Sequence, residues 1–246
     1  MDSKIIVLLV LLLTGCSSSN QTALNSIIQQ NKEQMFVETN NQEKLIEFYK
    51  QELRENESEE SRIKLAKSYL LSNDPESAIF VINQLETHQI NKNDEALLIL
   101  SKSYFQIGQL EQSGQYIEKA LLLNKNNGEA HNIAGILAVA NQRFDAAEKH
   151  FIEARKRFYQ DDVIKNNLAA LYLLEGRYRD SYNLLLGVYQ ANPEDNKAKA
   201  NLTVALIKIG DLHQAKALLQ QDYDAEQVDE IVTSITNQKW NMSFNR

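Results

Sequence analysis

Two regimes of apolar positions succeed each other along this chain of 246 residues. Over residues 5–13 they are unbroken, whereas from residue 94 onward they return at a constant spacing. Leu100, Ala134, Leu168 and Leu202 stand 34 positions apart, as do Ile117, Phe151, Leu185 and Leu219. The same interval separates the turn residues Gly108, Gln142, Gly176 and Gly210, and the residues two further on, Leu110, Phe144, Tyr178 and Leu212. Small residues recur in register, with Ser101, Gly135, Ala169 and Thr203 in one column and Ser113, Ala147, Ser181 and Ala215 in another. A repeat of this length, with small residues on both sides of a turn, predicts two antiparallel helices that approach closely where they cross. Four such units tile residues 94–127, 128–161, 162–195 and 196–229 without an insertion.

Upstream, "KLAKSYLLSNDPESAIFVINQL" fits a fifth unit over residues 59–93, one residue longer than the others. Its Asp74 is placed to cap a helix that opens with Pro75, where the missing N–H does no harm. Residues 26–58 hold a degenerate first unit. There "NNQEKLIEFYKQELRENES" supplies a turn and a second helix with Leu45, Tyr49 and Leu53 facing inward, while its partner over residues 26–39 is weakly patterned. Residues 16–25 are polar and read as a flexible tether. At the far end, the column of Ala120, Ala154 and Val188 arrives at Asp222, which does not suit a helix crossing. Asp224 then caps a new helix over residues 224–238, with Gln227 three residues on and Val228, Ile231, Val232 and Ile235 sharing one face. An array needs such a cover, because each unit buries its apolar face only against its neighbours. Phe80, Tyr104 and Tyr116 read as core.

The clearest unit, "NNLAALYLLEGRYRDSYNLLLGVYQANP", has Tyr172 and Tyr178 in aromatic positions, Gly176 at the turn and Pro193 closing the second helix. It resembles the tetratricopeptide repeat. The resemblance implies an all-α, right-handed superhelical solenoid ending in a capping helix. Departures from the pattern are Gln142 in place of a turn glycine and Ala138 in an aromatic column.

The apolar run at the front has another meaning. Its nine residues fall short of the roughly 20 that cross a bilayer as a helix. With Lys4 before it and the small residues Thr14 and Gly15 after it, the run reads as the core of an export signal. Leu13-Thr14-Gly15-Cys16 resembles the lipobox of bacterial lipoproteins, which implies that residues 1–15 are removed and that Cys16 carries lipid on its sulfur and amino group. Cys16 is the only cysteine of the chain, so it can form no internal disulfide, and attachment is its most economical use. One acyl chain anchors only marginally at about 0.8 kcal/mol per buried CH₂, so stable anchoring takes at least two. Ser17 follows where an aspartate would, by the enterobacterial sorting rule, retain the protein in the inner membrane. The expected location is therefore the periplasmic face of the outer membrane.

Charge and composition narrow the function further. The net charge is −7, and losing Asp2 and Lys4 with the signal leaves it there, which disfavours nucleic acid as a partner. Two prolines and eight glycines suit a helical chain. His88, His131, His150 and His213 sit at no metal-ligand spacing, and no G-x-S-x-G, P-loop or H-E-x-x-H motif occurs. The expectation is no catalytic residue, no metal and no cofactor beyond the lipid on Cys16, in a protein that is not an enzyme. Tandem repeats instead offer a concave face to an extended or helical peptide. By resemblance to peptide-bound repeat proteins, that face is lined by Lys102 and Phe105, then Asn132, Ile136 and Val139, then Asn166, Ala170 and Leu173, then Val204 and Ile207. Asn132, Asn166, Asn167 and Asn201 either bond a peptide main chain, since an amide both donates and accepts, or satisfy local groups between helices. The basic strip "EKHFIEARKRF" of residues 148–158 reads as the solvated face of a second helix, with anionic lipid or an acidic partner as the sharper alternative.

The lipobox, the repeat number and the ending "KANLTVALIKIGDLHQAKALLQQDYDAEQVDEIVTSI" together resemble the TadD lipoprotein family of tight-adherence (Tad/Flp) pilus assembly. In that family the final repeat has a similar N-L-x-x-A-L-x-x-x-G core and runs into an acidic segment that opens a terminal helix. The resemblance implies a membrane-anchored protein-interaction scaffold that localises or stabilises the outer-membrane secretin, or binds another pilus assembly component. A type IV pilus pilotin and a periplasmic adaptor for cell-wall enzymes are the alternatives.

Overall fold

The computed structural model describes residues 16–238, and within the first helix it describes side chains from residue 27 onward. The export signal, the rest of the lipobox and Trp240 lie outside the described residues. Among the described residues there are fourteen helices and no strand. Packing divides the chain into two units: one runs to Ile90 and includes Lys102–Gly108, the other comprises Asn91–Ser101 and the chain from Gln109 on.

In the first unit, α1 (Cys16–Glu38) and α2 (Gln42–Glu55) form a hairpin, followed by α3 (Glu59–Leu71), α4 (Pro75–Ile82) and the short α5 (Thr87–Ile90). Asn40 turns the chain with φ 49, and Asn41 caps α2 by accepting from the Lys44 N–H. The weakly patterned partner of α2 is thus a full helix. It presents Phe36 edge-on to Phe48 at 6.4 Å and Glu33 to the Tyr49 hydroxyl at 2.8 Å. Where the sequence suggests a flexible tether over residues 16–25, α1 already runs from Cys16, since that stretch holds no proline or glycine to stop a helix. Asp74 accepts from the Ser77 N–H with Pro75 in the first turn of α4. That helix ends at Ile82, and α5 takes up the rest of this longer unit.

The second unit holds α6 (Asp94–Gln106, its residues up to Ser101), α7 (Leu110–Leu123), α8 (Gly128–Ala140) and α9 (Phe144–Lys156). It is completed by α10 (Asp161–Leu174), α11 (Tyr178–Ala191), α12 (Asn196–Ile209), α13 (Leu212–Leu219) and α14 (Ala225–Asn237). The small-residue columns lie at the crossings. Ser101 and Ser113 are fully buried, and each hydroxyl donates to the other's backbone carbonyl, at 3.0 and 2.8 Å. Gly135 meets Phe151 at the next crossing. Asp224 and Gln227 close a capping box at the start of α14, and Val228 and Val232 are buried with Leu202, Leu206 and Leu219.

The 34-residue turn column is left-handed throughout, with φ 78, 57, 75 and 87 at Gly108, Gln142, Gly176 and Gly210. A side chain in that region costs about 1 kcal/mol or more, which glycine avoids. Gln142→Gly is therefore expected to raise stability by about 0.5–1 kcal/mol, and Gly176→Ala to lower it by about 1 kcal/mol. Opposite shifts of the urea midpoint for the two variants check this.

Candidate interaction surface

Within the second unit, α10 contacts both α8 and α12. Ile136, Ala170 and Val204 occupy equivalent positions on these three helices, and all are half-buried. Asn167 and Asn201 form a second half-buried pair 34 residues apart. Val139 is half-buried and, with Ile136, packs against the core cluster around Phe151 and Leu168. Lys102 and Phe105, also half-buried, belong to the first unit.

Four of the groove candidates lie deeper than the sequence suggests. Leu173 and Ile207 are core residues, Ile207 in the cluster with Leu202, Ala215 and Val228. Asn132 and Asn166 are buried as well. Asn167 donates to Asn132 at 2.7 Å, tying α10 to α8. Asn166 donates to Asp195 Oδ2 at 3.0 Å, while Asp195 Oδ1 accepts from the N–H groups of Lys197 and Ala198 and caps α12. Local satisfaction therefore accounts for Asn167 and the Asn132 oxygen, whereas the buried Asn166 Oδ1 has no hydrogen-bond partner among the described residues. The surface that remains is a mainly aliphatic strip, Ile136, Ala170 and Val204, with Asn201 beside its last member.

Asp195 carries a testable pH signature. The Ala198 N–H holds its carboxyl below the ordinary range; burial opposes this, and the Asn166 amide adds to it. A depressed folded-state pKa contributes stability above the unfolded value, and that contribution is lost as pH falls through the folded one. Asp195→Ala is expected to cost about 1 kcal/mol at pH 7. The gap to the parent protein should close in denaturant titrations taken down through the acid range.

Charged side chains elsewhere in the second unit are mostly engaged. Arg177 lies over the Tyr172 ring at 3.8 Å and pairs with Glu148, Glu175 and Asp180 at 3.2, 3.2 and 3.0 Å. The Tyr172 hydroxyl donates to Glu148 at 2.5 Å, and burial, followed by that carboxylate, pushes its pKa up to about 12. The basic strip is a solvated helix face: Lys156 and Arg157 pair with Glu153, Arg155 pairs with Asp161, and Phe151 and Ala154 point inward. Its last residue, Phe158, is 97% exposed at φ 57.

A second surface, in the first unit, has no counterpart in the repeat pattern. Phe80 is not core but 67% exposed, while Tyr104 and Tyr116 are half-buried. With Leu53, Leu65, Tyr69 and Val81, Phe80 lines a cleft of about 360 Å³ rimmed by Lys50, Arg54 and Arg62. Lys50 sits over the Tyr69 ring at 5.3 Å, and Arg62 is bound by Glu57 and Gln84.

Among the described residues, no group of three or more His, Cys, Asp or Glu side chains is set to hold a metal, and no helix is long and apolar enough to cross a membrane. No protein-family model matches the chain. Solved structures do. A tetratricopeptide-repeat protein of Thermus thermophilus superposes with a TM-score of 0.59 at 20% identity, covering 73% of this chain and 99% of that one. A tetratricopeptide-repeat protein of Parabacteroides merdae gives 0.61 at 15% identity, covering 85% and 98%. The fold is that of tetratricopeptide-repeat proteins. PilF of Pseudomonas aeruginosa shares it, with a TM-score of 0.59 at 14% identity over 72% of this chain and 86% of PilF. In sequence, the chain is 30% identical over 116 residues to an uncharacterized protein of Haemophilus influenzae. That match takes in 46% of this chain and 64% of the relative, so the chain spans just under two thirds of the relative's length.

Proposed function

We propose that this protein is a lipid-anchored scaffold on the periplasmic face of the outer membrane, where it assists assembly of Flp-type pili by holding the secretin. The observation that carries the reading is the aliphatic strip of Ile136, Ala170 and Val204, repeated on three consecutive first helices and left half-exposed by the fold. A strip of this kind accepts the apolar side of a polypeptide segment. The lipobox ending at Cys16 and the acidic segment that opens α14 support the tight-adherence reading by resemblance. Lipid on Cys16 confines scaffold and partner to one membrane, so their effective concentration rises without any tighter contact. No catalytic step is assigned to the protein.

Deleting the gene tests the reading. Secretin should fail to form heat-stable multimers, and surface pili should be lost. Normal multimers and normal pili in the deletion strain would refute it.

A further inference from the structure

His131 and His150 are separated by 19 residues, a spacing that suggests nothing in the sequence, but the turn between α8 and α9 brings their rings together. Their Nδ1 atoms lie 3.1 Å apart, with ring centroids at 5.4 Å and planes inclined by 40°. His131 Nε2 stands 3.1 Å from the Lys125 carbonyl oxygen. A carbonyl only accepts, so this nitrogen carries the proton, and the Nδ1 of the neutral ring is left with a lone pair aimed at His150. A backbone carbonyl that fixes the far nitrogen of an imidazole is the arrangement that orients metal-bound histidines. Bonds of about 2.0–2.1 Å at a tetrahedral angle set two nitrogen ligands roughly 3.3 Å apart, so the pair needs to open by a few tenths of an ångström and each ring to turn by roughly 35° for both lone pairs to meet at the ion.

We propose that His131 Nδ1 and His150 Nδ1 together bind a divalent transition-metal ion of the imidazole-seeking class, such as zinc, copper or nickel. Metal-free, His150 donates its Nδ1–H to His131; with the ion bound, that proton moves to His150 Nε2. Glu153 lies one turn beyond His150 on α9 and is held only by pairs with Lys156 and Arg157 at 2.8 and 3.5 Å, its side chain one-third exposed. Exposed pairs of this kind contribute little, so turning the carboxylate toward the histidines as a third ligand is a small step. Water completes the shell. Calcium and magnesium, which take oxygen ligands, do not fit a pair of imidazoles. Both rings are half-buried, which leaves an approach from solvent.

Equilibrium dialysis of the full chain against zinc chloride, repeated with the copper and nickel salts, tests the site. The expected result is one ion per chain. Affinity should fall at least tenfold in His131→Ala and in His150→Ala, fall less in Glu153→Gln, and stay unchanged in His213→Ala. Binding should also shift the imidazole proton resonances of two histidines and leave those of His88 and His213 in place. If an alanine variant loses its helical circular-dichroism spectrum, His131→Asn and His150→Asn, which keep a polar side chain, carry the same test. Failure of all three ions to bind, or binding with equal affinity in the parent protein and both histidine variants, overturns the proposal.

Discussion

Replacing Phe151 with alanine is expected to destabilise the second unit by about 3–5 kcal/mol, a loss typical of truncating a buried aromatic ring. Phe151 is 1% exposed and sits in one cluster with Ala138, Phe144, Ala147, Ile164 and Leu168, which spans α8, α9 and α10. The hole would open at the crossing that joins one repeat to the next. Stability in a repeat array depends on such junctions, so the damage spreads to the neighbouring hairpins. One edge of the ring makes a second demand. A Cβ on Gly135 would stand 2.5 and 2.7 Å from two atoms of the Phe151 ring. Gly135→Ala should therefore cost about 1–3 kcal/mol by overpacking. Combined with Phe151→Leu, the same change should do less harm than the sum of the two single losses, because the smaller side chain vacates the space the new methyl needs. Denaturant unfolding followed at 222 nm reads all of these variants. A loss below about 1 kcal/mol for Phe151→Ala would show that the crossing does not hold the unit together.

Replacing Cys16 with serine should have an all-or-none effect. On the proposed reading, the parent protein incorporates labelled palmitate and is recovered with washed membranes, and its mature chain begins at Cys16 with added acyl mass. Cys16→Ser should incorporate no label. A chain that starts at Ser17, with neither signal nor cysteine, should appear in the soluble fraction. The size of the effect follows from chain burial: at about 0.8 kcal/mol per CH₂, two acyl chains exceed any contact the polar opening of α1 makes with headgroups. Finding the parent protein with an unmodified mature N-terminus would remove the anchor from the proposed function and leave the fold untouched.

The periodic part of the structure was open to inspection in the chain, and the reason is mechanical. Stacked hairpins repeat the same crossing, so Gly135, Ala169 and Thr203 must stay small at the same interval at which Phe151, Leu185 and Leu219 fill the space opposite. Caps were readable for a similar reason: Asp74 and Asp224 satisfy N–H groups within three residues, and so local a bond leaves a local signature. What escaped depends on contacts that no period encodes. The start of α1 at Cys16 was hidden because a polar sequence without breakers fits either helix or tether. Asn166 reads as a groove amide from the chain alone, whereas its amide nitrogen donates to Asp195, 29 residues away. Leu173 and Ile207 share a column with Val139, yet only Val139 stays half-exposed, because burial also depends on what covers each unit. The histidine pair meets across one hairpin and recurs in no other. No repeat count could find it.

The most direct test of the central claim is site-specific photo-crosslinking in living cells. A photoreactive side chain at Val204, on the half-buried strip of α12, should capture the outer-membrane secretin. The same group at Leu122, which is 75% exposed on α7, should capture little. Equal capture from both positions, or capture only of cell-wall enzymes from Val204, would contradict the account.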